Sequence, residues 1–390
     1  MSRAPAHPQD SLTEVQAGAG GTIALLAWAH FLNDGAANYL PGVLPALLAA
    51  LALPLRDAGV MMGILIAFQA LQPFAGVLAD RRGVRVMVVA GLAGSALGGA
   101  IIGWSDSAAT LIPALLLIGI CNTLFHPPAL ASSRRLAAGG GERGTAVFLV
   151  GGEFGRGVWP LLAGILVTAW GLRSLWVLEL ATIPTLVLLW MHVRPPQPGA
   201  ARPGAWQGLR HAGRPLRMVV AYSVLRAALI VGVTVFVPLL WVAHGGSLVG
   251  GAGLISVMLV VGIVGNLGGA TLARRFDRRW LVVWGTLLGC ALLAAFLLAG
   301  GIWLWILMAL FGIAIWSTLT LTVLMCQDLL PRQHSLASGL ALGFGNALGA
   351  GIVALLGLLA PVWGLRGVLW SIEACGGLAL ALAFALPQSR

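Results

Sequence analysis

Twelve long apolar segments run through the chain, and they restrict its fold more than any other feature of the sequence. Charged residues make up only 9% of the chain, against about 25% in soluble domains. A helix needs about 20 residues to cross a bilayer, and each segment has that length or nearly so. Because lipid offers the backbone no hydrogen bonds, we predict an all-α membrane protein with twelve transmembrane helices, numbered here as spans 1–12. The segments are 22–51, 58–79, 86–104, 109–132, 144–169, 172–192, 217–243, 250–273, 280–299, 302–326, 335–361 and 364–386.

The longest polar interruption divides the spans into two sets of six. It covers residues 193–216 and is rich in proline, glycine and arginine. This division predicts a tail at 1–21, a six-helix bundle at 22–192, a linker at 193–216 and a second six-helix bundle at 217–386. We call the two bundles the N-half and the C-half.

Arginine supplies all 23 basic side chains, and its placement predicts the orientation. Eighteen arginines fall in the termini, the linker and the loops on the same side, whereas only Arg56, Arg173 and Arg366 fall in loops on the other side. Because basic residues concentrate in cytoplasmic loops, we expect both termini and the linker in the cytoplasm. These arginines lie in short loops, so the net charge of +11 gives no indication of nucleic-acid binding.

Span 1 carries polar side chains where hydrocarbon is expected. His30 and Asp34 are four residues apart and share one helix face, with Asn33 beside them. Asp34 comes about 12 residues into the span, roughly 18 Å along a helix and close to the bilayer midplane. A carboxylate there is costly and usually faces a bundle interior or a water-filled path, so we predict that this face lines a transport path. Pro41 and Pro45 should break or kink the outer end of the helix.

Further charges are embedded at similar depth in other spans. Glu153 and Arg156 lie three residues apart in span 5 and share a face, and Arg226 lies in span 7. Glu153 and Arg156 are either a structural ion pair or part of the transport path. Asp34 and Glu153 are the candidate proton carriers, and Asp34 is slightly favoured because only His30 lies within one helical turn of it.

Uncharged polar side chains add to the predicted path. His126 in span 4 precedes two prolines, and it either lines the path or satisfies backbone carbonyls that the prolines free. Gln69 and Gln72 in span 2 either line the path or bond to a neighbouring helix. Asn346 in span 11 occupies the place that Glu153 has in the other half. We include all four among the candidate substrate and proton contacts.

The loop between spans 2 and 3 holds the most specific motif. It reads Gly76-Val-Leu-Ala-Asp80-Arg81-Arg82-Gly83-Val-Arg85. Gly76 permits close helix packing, Gly83 permits a tight turn, and Asp80 can pair with arginines or with a helix N-terminus. A degenerate copy follows span 8, with Ala273 in place of the acid. The motif resembles the signature of the major facilitator superfamily and implies a cytoplasmic gate; a polar loop that only orients the protein is the alternative.

The N-half is similar to the fosmidomycin-resistance branch of that superfamily, a group of bacterial inner-membrane exporters. The resemblance implies two related six-helix bundles that rock about a midplane cavity. Two departures stand out: span 4 has no arginine of the kind that drug–proton antiporters often carry, and Glu153 and Arg156 stand where the branch has uncharged residues. The resemblance rests on His30-x-x-Asn33-Asp34, Gln69-x-x-Gln72-Pro73, Phe125-His126-Pro127, and Gly151-Gly152 with Gly155 and Pro160.

Several function classes are not expected. The sequence contains no nucleotide-binding glycine loop and no soluble domain, so we predict neither an enzyme nor a cofactor. His30 and Asp34 supply only two metal ligands, and the four cysteines form no CxxC, so no metal site is predicted. We expect a monomeric secondary transporter whose partners are a small-molecule substrate, protons or another coupling ion, and lipid. Proton-coupled export of a small polar or amphiphilic molecule is the main hypothesis; import of an organic anion and a non-transporting receptor or scaffold are the alternatives.

Overall fold

Helices form nearly all of the protein in the computed structural model, which describes residues 8–72, 74–75, 84–136, 142–193, 205–331 and 333–388. In the N-half they are Pro8–Asn38 and Leu40–Ala50 (span 1), Asp57–Ala67 and the 3₁₀ turn Phe68–Leu71 (span 2), Val84–Ile102 (span 3), Ala108–Leu136 (span 4), Glu142–Trp170 (span 5), and the 3₁₀ segment Leu172–Glu179 with Thr182–His192 (span 6). In the C-half they are Ala205–Ala243 (span 7), Leu248–Leu272 (span 8), Arg278–Leu298 (span 9), Trp303–Leu329 (span 10), His334–Ser338, the π-helical Gly339–Phe344 and Gly345–Gly357 (span 11), and Ala360–Ala383 (span 12).

Each of the twelve predicted spans coincides with a helix or a broken helix, which confirms the predicted all-α fold. Within the described ranges, nine helices are long and apolar enough to cross a membrane on length and composition alone. The others belong to spans 1, 2 and 5. Span 1 breaks at Tyr39, span 2 is short, and span 5 carries Glu153 and Arg156. The spans that depart from a plain apolar helix are therefore among those with predicted site residues.

The break in span 1 lies where the prolines predict it. The first helix ends at Asn38, and the second begins at Leu40 with Pro41 in its first turn and Pro45 inside it. Proline suits a first turn because the amides there have no intrahelical acceptor. The last part of span 1 can therefore run in a different direction from the part that carries Asp34.

Two helix bounds extend beyond the apolar pattern. The first helix begins at Pro8, so part of the predicted tail is helical. The predicted linker likewise contains the start of Ala205–Ala243, which is interrupted at Gly213, where φ is 50°. Glycine takes this left-handed conformation at no steric cost. The apolar pattern marks only the part of a helix that lies in lipid, so it did not predict these polar extensions.

Glycines bring span 5 close to span 1. A Cβ atom on Gly151 or Gly155 would overlap a backbone oxygen of span 1. These two glycines are four residues apart, the spacing at which membrane helices approach most closely. Gly265 and Gly269 pack span 8 against span 10 in the same way. Close packing of span 5 on span 1 sets Arg156 and the polar face of span 1 side by side.

The two halves contact each other along spans 2 and 11 and along spans 5 and 8. Gly59 lies against the backbone of Val353, and Gly164 lies against Ala252. Both contacts are near the end whose loops carry few arginines, which we call the arginine-poor end. At the opposite, arginine-rich end, a cavity of about 890 Å³ opens beside spans 7 and 11. The structure is thus closed between the halves at the arginine-poor end.

Candidate transport site

Four side chains from three spans meet in the N-half, and we call them the midplane cluster: His30 and Asp34 of span 1, His126 of span 4 and Arg156 of span 5. Arg156 Nη2 donates to Asp34 Oδ2 at 2.8 Å. Asp34 Oδ1 lies 2.9 Å from His126 Nε2, and Asp34 Oδ2 lies 3.4 Å from His30 Nε2. The Asp34 side chain is only 1% exposed, so protein groups surround the carboxylate. His30 is the basic residue within one helical turn of Asp34, and spans 4 and 5 supply two more basic side chains that the spacing did not indicate.

The packing around His30 fixes the plane of its ring. The imidazole stacks on Phe148 of span 5 with ring centroids 4.0 Å apart, and it occupies space that a Cβ on Gly152 would fill. The His126 ring meets the His30 ring edge-on, with centroids 5.0 Å apart. Both imidazoles are therefore held in one orientation relative to Asp34.

The hydrogen bonds of the two histidines determine where their protons lie. His30 Nδ1 lies 2.7 Å from the carbonyl oxygen of Phe148, and His126 Nδ1 lies 2.8 Å from that of Asn122. A carbonyl oxygen only accepts, so each Nδ1 donates, and in the neutral ring Nε2 then carries a lone pair. His126 thus bonds to a backbone carbonyl, but not to one that the prolines free, because Pro127 and Pro128 free the carbonyls of Thr123 and Leu124. The other nitrogen of His126 faces Asp34.

The two Nε2 atoms consequently face each other and the carboxylate of Asp34. Unless a proton is added, none of these three groups can donate a hydrogen bond to another. The two Nε2 atoms lie 3.2 Å apart, and both point at the carboxylate of Asp34. Two lone pairs and a carboxylate repel at such distances, because all three only accept hydrogen bonds. We conclude that this arrangement requires one proton among the three groups, carried by a histidine or by Asp34.

Glu153 does not pair with Arg156 as the spacing predicts. Among the described residues, the Glu153 carboxylate instead accepts a hydrogen bond from Asn266 of span 8, whose own oxygen accepts from Thr320 of span 10. Arg156 reaches Asp34, and its guanidinium stands 5.8 Å from the centroid of the Trp316 ring. Span 5 therefore bonds to Asp34 in the N-half through Arg156 and to Asn266 in the C-half through Glu153.

Arg226 is buried in the C-half and has no acid within ion-pair distance among the described residues. It is 1% exposed, and its Nε and Nη2 atoms have no hydrogen-bond partner. One turn earlier on the same helix, Tyr222 bonds to Thr286 through its hydroxyl, so the hydroxyl groups near Arg226 are engaged with one another. Arg226 is thus buried within span 7 and lies outside the midplane cluster, and its role as a substrate contact stays a prediction.

The amides of span 2 meet span 11 across the interface between the halves. Asn346 Nδ2 donates to Gln69 Oε1 at 3.3 Å. Gln72 lies beside Gly343, where a Cβ would come 3.0 Å from Gln72 Oε1. Gln69 therefore bonds to a neighbouring helix, as one of its two interpretations predicts, and that helix belongs to the other half.

Comparison with known proteins identifies the architecture. A family model described as Major Facilitator Superfamily matches residues 26–354. The chain belongs to the major facilitator superfamily. Its family is one of transporters, and the apolar helices make it a multi-pass membrane protein.

Two curated bacterial proteins of this superfamily are similar over most of their length. An uncharacterized MFS-type transporter of Bacillus subtilis, YfnC, is 26% identical over 381 residues, covering 93% of this chain and 91% of the relative. The fosmidomycin resistance protein of Escherichia coli is 24% identical over 364 residues, covering 87% and 86%. The second relative supports the predicted resemblance to the fosmidomycin-resistance branch.

Solved superfamily structures share the fold at lower identity. A bacterial homolog to the human lysosomal transporter Spinster, in an inward-facing and unoccupied conformation, has a TM-score of 0.80 at 15% identity, covering 94% of this chain and 96% of that one. A POT family transporter in complex with 5-aminolevulinic acid has a TM-score of 0.72 at 12% identity, covering 93% and 95%. These likenesses show the fold.

The superfamily loop motif is only partly described. Gly76, Asp80, Arg81 and Gly83 lie outside the described residues, so their predicted gating role stays a prediction. Arg85 is described: its side chain donates to the carbonyl oxygen of Val193 and lies 5.6 Å from the ring centroid of Trp190. Arg85 therefore ties the start of span 3 to the end of span 6, which the motif did not indicate.

Three donors in the cluster could also serve as metal ligands. One atom each from His30, Asp34 and His126 lies within 4.8 Å of the others. The sequence counted only two ligands because it could not show that His126 of span 4 joins them. Arg156, however, holds a fixed positive charge on the same carboxylate, and that charge opposes a divalent cation. A proton is the occupant that the arrangement favours.

Sequence reasoning missed Asn266, Thr320 and Trp316. Asn266 and Thr320 gave no signal, because a single amide or hydroxyl in an apolar span is common. Trp316 was one of many tryptophans. Glu179 of span 6 is only 6% exposed, and neither of its oxygens has a hydrogen-bond partner.

Proposed function

We propose that this protein is a proton-coupled secondary transporter of the bacterial inner membrane. It moves a small polar or amphiphilic molecule by alternating access, with export as the main direction because of the resemblance to the fosmidomycin-resistance branch. The observation that carries proton coupling is the midplane cluster, in which two Nε2 lone pairs and a buried carboxylate face one another and need a proton between them. Such an arrangement has no structural need in an apolar bundle, where uncharged side chains are cheaper.

His126 is the group through which the proton enters and leaves. Its side chain is 21% exposed, whereas those of His30 and Asp34 are 5% and 1% exposed. When the proton departs, Arg156 alone balances Asp34, and the two Nε2 lone pairs repel each other and the carboxylate. Spans 1 and 4 then lose an attraction that holds them together, so the proton is coupled to the packing of helices.

Span 5 transmits this change to the interface between the halves. Arg156 bonds to Asp34 in the N-half, and Glu153, nearly one turn away on the same helix, accepts from Asn266 in the C-half. A shift of Arg156 relative to Asp34 therefore also moves a contact between the halves. Coupling requires that the proton change the relative stability of the two conformations.

Transport in proteoliposomes with an imposed pH gradient tests the proposal. Fosmidomycin is the first probe because a relative is named for resistance to it. We expect wild-type protein to move the probe against its gradient, and Asp34→Asn and His126→Gln to lose that uphill transport while exchange at equal pH survives. His244→Gln is the matched control, since His244 Nδ1 also lies 2.8 Å from a carbonyl oxygen four residues earlier but is exposed.

Glu153→Gln separates the second candidate proton carrier from the cluster. The amide can still accept from Asn266, so the contact between the halves is retained. Full uphill transport in this variant would exclude Glu153 as the carrier. Full uphill transport in Asp34→Asn and His126→Gln would exclude the midplane cluster. A protein that moves no probe under any gradient would support the scaffold alternative.

Import of an organic anion is the second candidate function. The observation that favours it is Arg226, a buried cation that forms no ion pair with an acid in the described part of the chain. Reversing the imposed pH gradient in the same proteoliposomes distinguishes import of the probe from its export.

The proposed orientation, with both termini and the linker in the cytoplasm, has its own test. Cysteines introduced at Gly204 and Ser389 should resist an impermeant thiol reagent applied to intact cells. The native cysteines interfere little, since Cys121, Cys290 and Cys326 are buried and Cys375 is partly buried. Labelling of either introduced cysteine from outside would overturn this orientation. The proposed monomeric state is tested by the mass of the detergent-solubilised protein.

A further inference from the structure

A short sequence occurs once in each half and leads to an acid both times. Residues 170–173 read Trp-Gly-Leu-Arg at the start of span 6 and lead to Glu179, and residues 363–366 read the same at the start of span 12 and lead to Glu373. The backbone repeats as well, because the two glycines have φ of 80° and 66° and ψ of 173° and 169°. The repeat therefore places a carboxyl group at corresponding points of the two halves, outside the midplane cluster.

Glu179 is enclosed by protein and has no bonded partner in the described part of the chain. Its exposed fraction is 6%, and both carboxyl oxygens lack a hydrogen-bond partner. The hydroxyl oxygens of Ser95 in span 3 and Thr182 in span 6 are also buried without a partner. An ionised carboxylate is very costly in such surroundings unless a cation neutralises it.

Protein supplies no cation for this carboxyl group among the described residues. Spans 1, 3 and 5 pack on this part of span 6. The arginine-poor ends of spans 3 and 5, residues 92–102 and 159–170, contain no titratable side chain, and span 1 contributes Tyr39. Arg173 of span 6 is exposed, with its guanidinium 5.2 Å from the centroid of a tryptophan ring. Within the described ranges, no base lies within ion-pair distance of Glu179.

The packing around Glu179 is too tight for a metal ion. A Cβ atom added to Gly99 of span 3 would stand 2.9 Å from Glu179 Oε1 and 3.4 Å from Cε1 of the Tyr39 ring. The carboxyl group, the glycine and the ring thus meet at one point. A metal ion needs about six oxygen ligands around it, and the Tyr39 hydroxyl is already engaged, since it donates to the Gly99 carbonyl oxygen at 2.5 Å. A proton on the carboxyl group needs no such space.

Tyr39 connects this carboxyl group to the helix that closes the arginine-poor end. Tyr39 is fully buried at the break between the two helices of span 1. The helix beyond it, Leu40–Ala50, packs against spans 7 and 8 of the C-half as well as against span 5. Separation of the halves at this end therefore has to displace Leu40–Ala50, and Tyr39 lies directly before it.

We propose that Glu179 is a second proton-binding site, which holds its proton while the arginine-poor end is closed and releases it when that end opens. Movement of Tyr39 with Leu40–Ala50 admits water to the carboxyl group, and water can solvate the ionised form. The bound proton consequently favours the closed state, and its loss favours the open state. The role of this site in transport rests on the proposed function, but its binding of a proton does not.

Infrared spectroscopy of the full-length protein in nanodiscs tests whether Glu179 carries the proton. A neutral carboxylic acid has a carbonyl stretch at higher frequency than a carboxylate. We expect the difference spectrum between wild type and Glu179→Gln at neutral pH to contain one neutral-acid band. Gly99→Ala should shift that band, because the added Cβ displaces the carboxyl group, and this variant reports on the site if Glu179→Gln does not fold. A difference spectrum without a neutral-acid band, or a band that Gly99→Ala does not shift, would overturn the proposal.

Thiol labelling tests whether the proton controls closure. The measured quantity is the labelling rate of a cysteine replacing Ser256, which is buried and accepts a hydrogen bond from the Leu161 amide of the other half. Because thiol chemistry itself depends on pH, variants with the same cysteine are compared at each pH. At acidic pH wild type and Glu179→Gln should be labelled equally fast. At alkaline pH we expect wild type to be labelled about threefold or more faster, because only its side chain can ionise.

Glu373→Gln is the matched control. Glu373 belongs to the same repeat, but beyond Gly213 the helix of span 7 continues to Ala243 without a break like that at Tyr39. This variant should therefore behave as wild type does. Equal labelling of wild type and Glu179→Gln at alkaline pH, or the same effect from Glu373→Gln, would contradict the proposal. Neither measurement uses a substrate or a gradient, so a failure of the proposed coupling through the midplane cluster would be seen separately, in the uphill transport.

Discussion

Asp34 and Arg226 lie in the first spans of their respective halves, and they carry opposite charges in opposite surroundings. Each residue is 1% exposed. Asp34 contacts His30, Asn33, His126 and Arg156, whereas Arg226 has no acid among the described residues. The comparison shows that two halves of one architecture can use a buried charge in different ways. In the N-half protein groups compensate the charge, whereas in the C-half no acid among the described residues does so.

The largest effect is expected when the compensated charge is removed. Asp34→Ala leaves the partly buried Arg156 and the two histidines without their acid, and breaking a buried pair in this way costs about 3–5 kcal/mol. We expect a loss of this size in the free energy of unfolding, measured by denaturant titration in micelles. Asn33→Ala is the control, because its 3.5 Å contact with Asp34 is long, and it should cost less than about 1 kcal/mol. A small effect of Asp34→Ala would mean that the cluster is not an interacting unit.

The uncompensated charge should respond with the opposite sign. Arg226→Met replaces a buried cation with a flexible apolar side chain, and we expect the free energy of unfolding to rise by about 1–4 kcal/mol. The same denaturant titration measures it. Arg278→Met is the control, since it breaks an ion pair with the exposed Asp328 and should change stability by less than about 1 kcal/mol. Destabilisation by Arg226→Met as large as that by Asp34→Ala would show that Arg226 has a partner after all, and the comparison would fail.

Sequence reasoning reached as far as contacts within one helix. The apolar segments defined the spans because their length is set by the bilayer, and Pro41 located the break in span 1. The four-residue spacing placed His30 and Asp34 on one face. It could not show that His126 joins them, because a single sequence does not mark which faces of spans 1 and 4 pack together.

The partner of Arg156 shows why contacts between spans could not be predicted from the sequence. Spacing alone allows Glu153 and Arg156 to pair, but a long arginine side chain can also cross to the next helix, and it reaches Asp34. The partner of Glu153, Asn266, lies 113 residues away in the other half. Contacts between spans depend on how the helices rotate against each other, and no local pattern encodes that rotation.

At the interface between the halves, two contacts can be compared, and removing either should have a smaller effect than the substitutions above. At spans 5 and 8, Asn266 bonds to a carboxylate and is itself held by Thr320. Asn266→Leu removes both bonds, which should favour separation of the halves by about 1 kcal/mol, or roughly fivefold. The measurement is the rate at which a thiol reagent labels a cysteine replacing Ser256, which is buried and accepts from the Leu161 amide of the other half. An unchanged rate would show that this contact does not hold the halves together.

The smallest effect is expected at spans 2 and 11, where two neutral amides meet. The bond from Asn346 to Gln69 is 3.3 Å long, and no charge strengthens it. Hydrogen bonds between membrane helices average about 0.6 kcal/mol, so Asn346→Leu should raise the labelling rate of the same cysteine by no more than about threefold. Asn38→Leu is the matched control. It removes a 2.8 Å amide bond to the backbone of Asp34 within the N-half and should leave labelling unchanged, because that bond does not cross the interface. If Asn346→Leu accelerates labelling more than Asn266→Leu does, the halves are held mainly at spans 2 and 11. Glu153 would then not be the group through which the proton acts on the interface, and the coupling route would have to run from span 1 to span 2 instead.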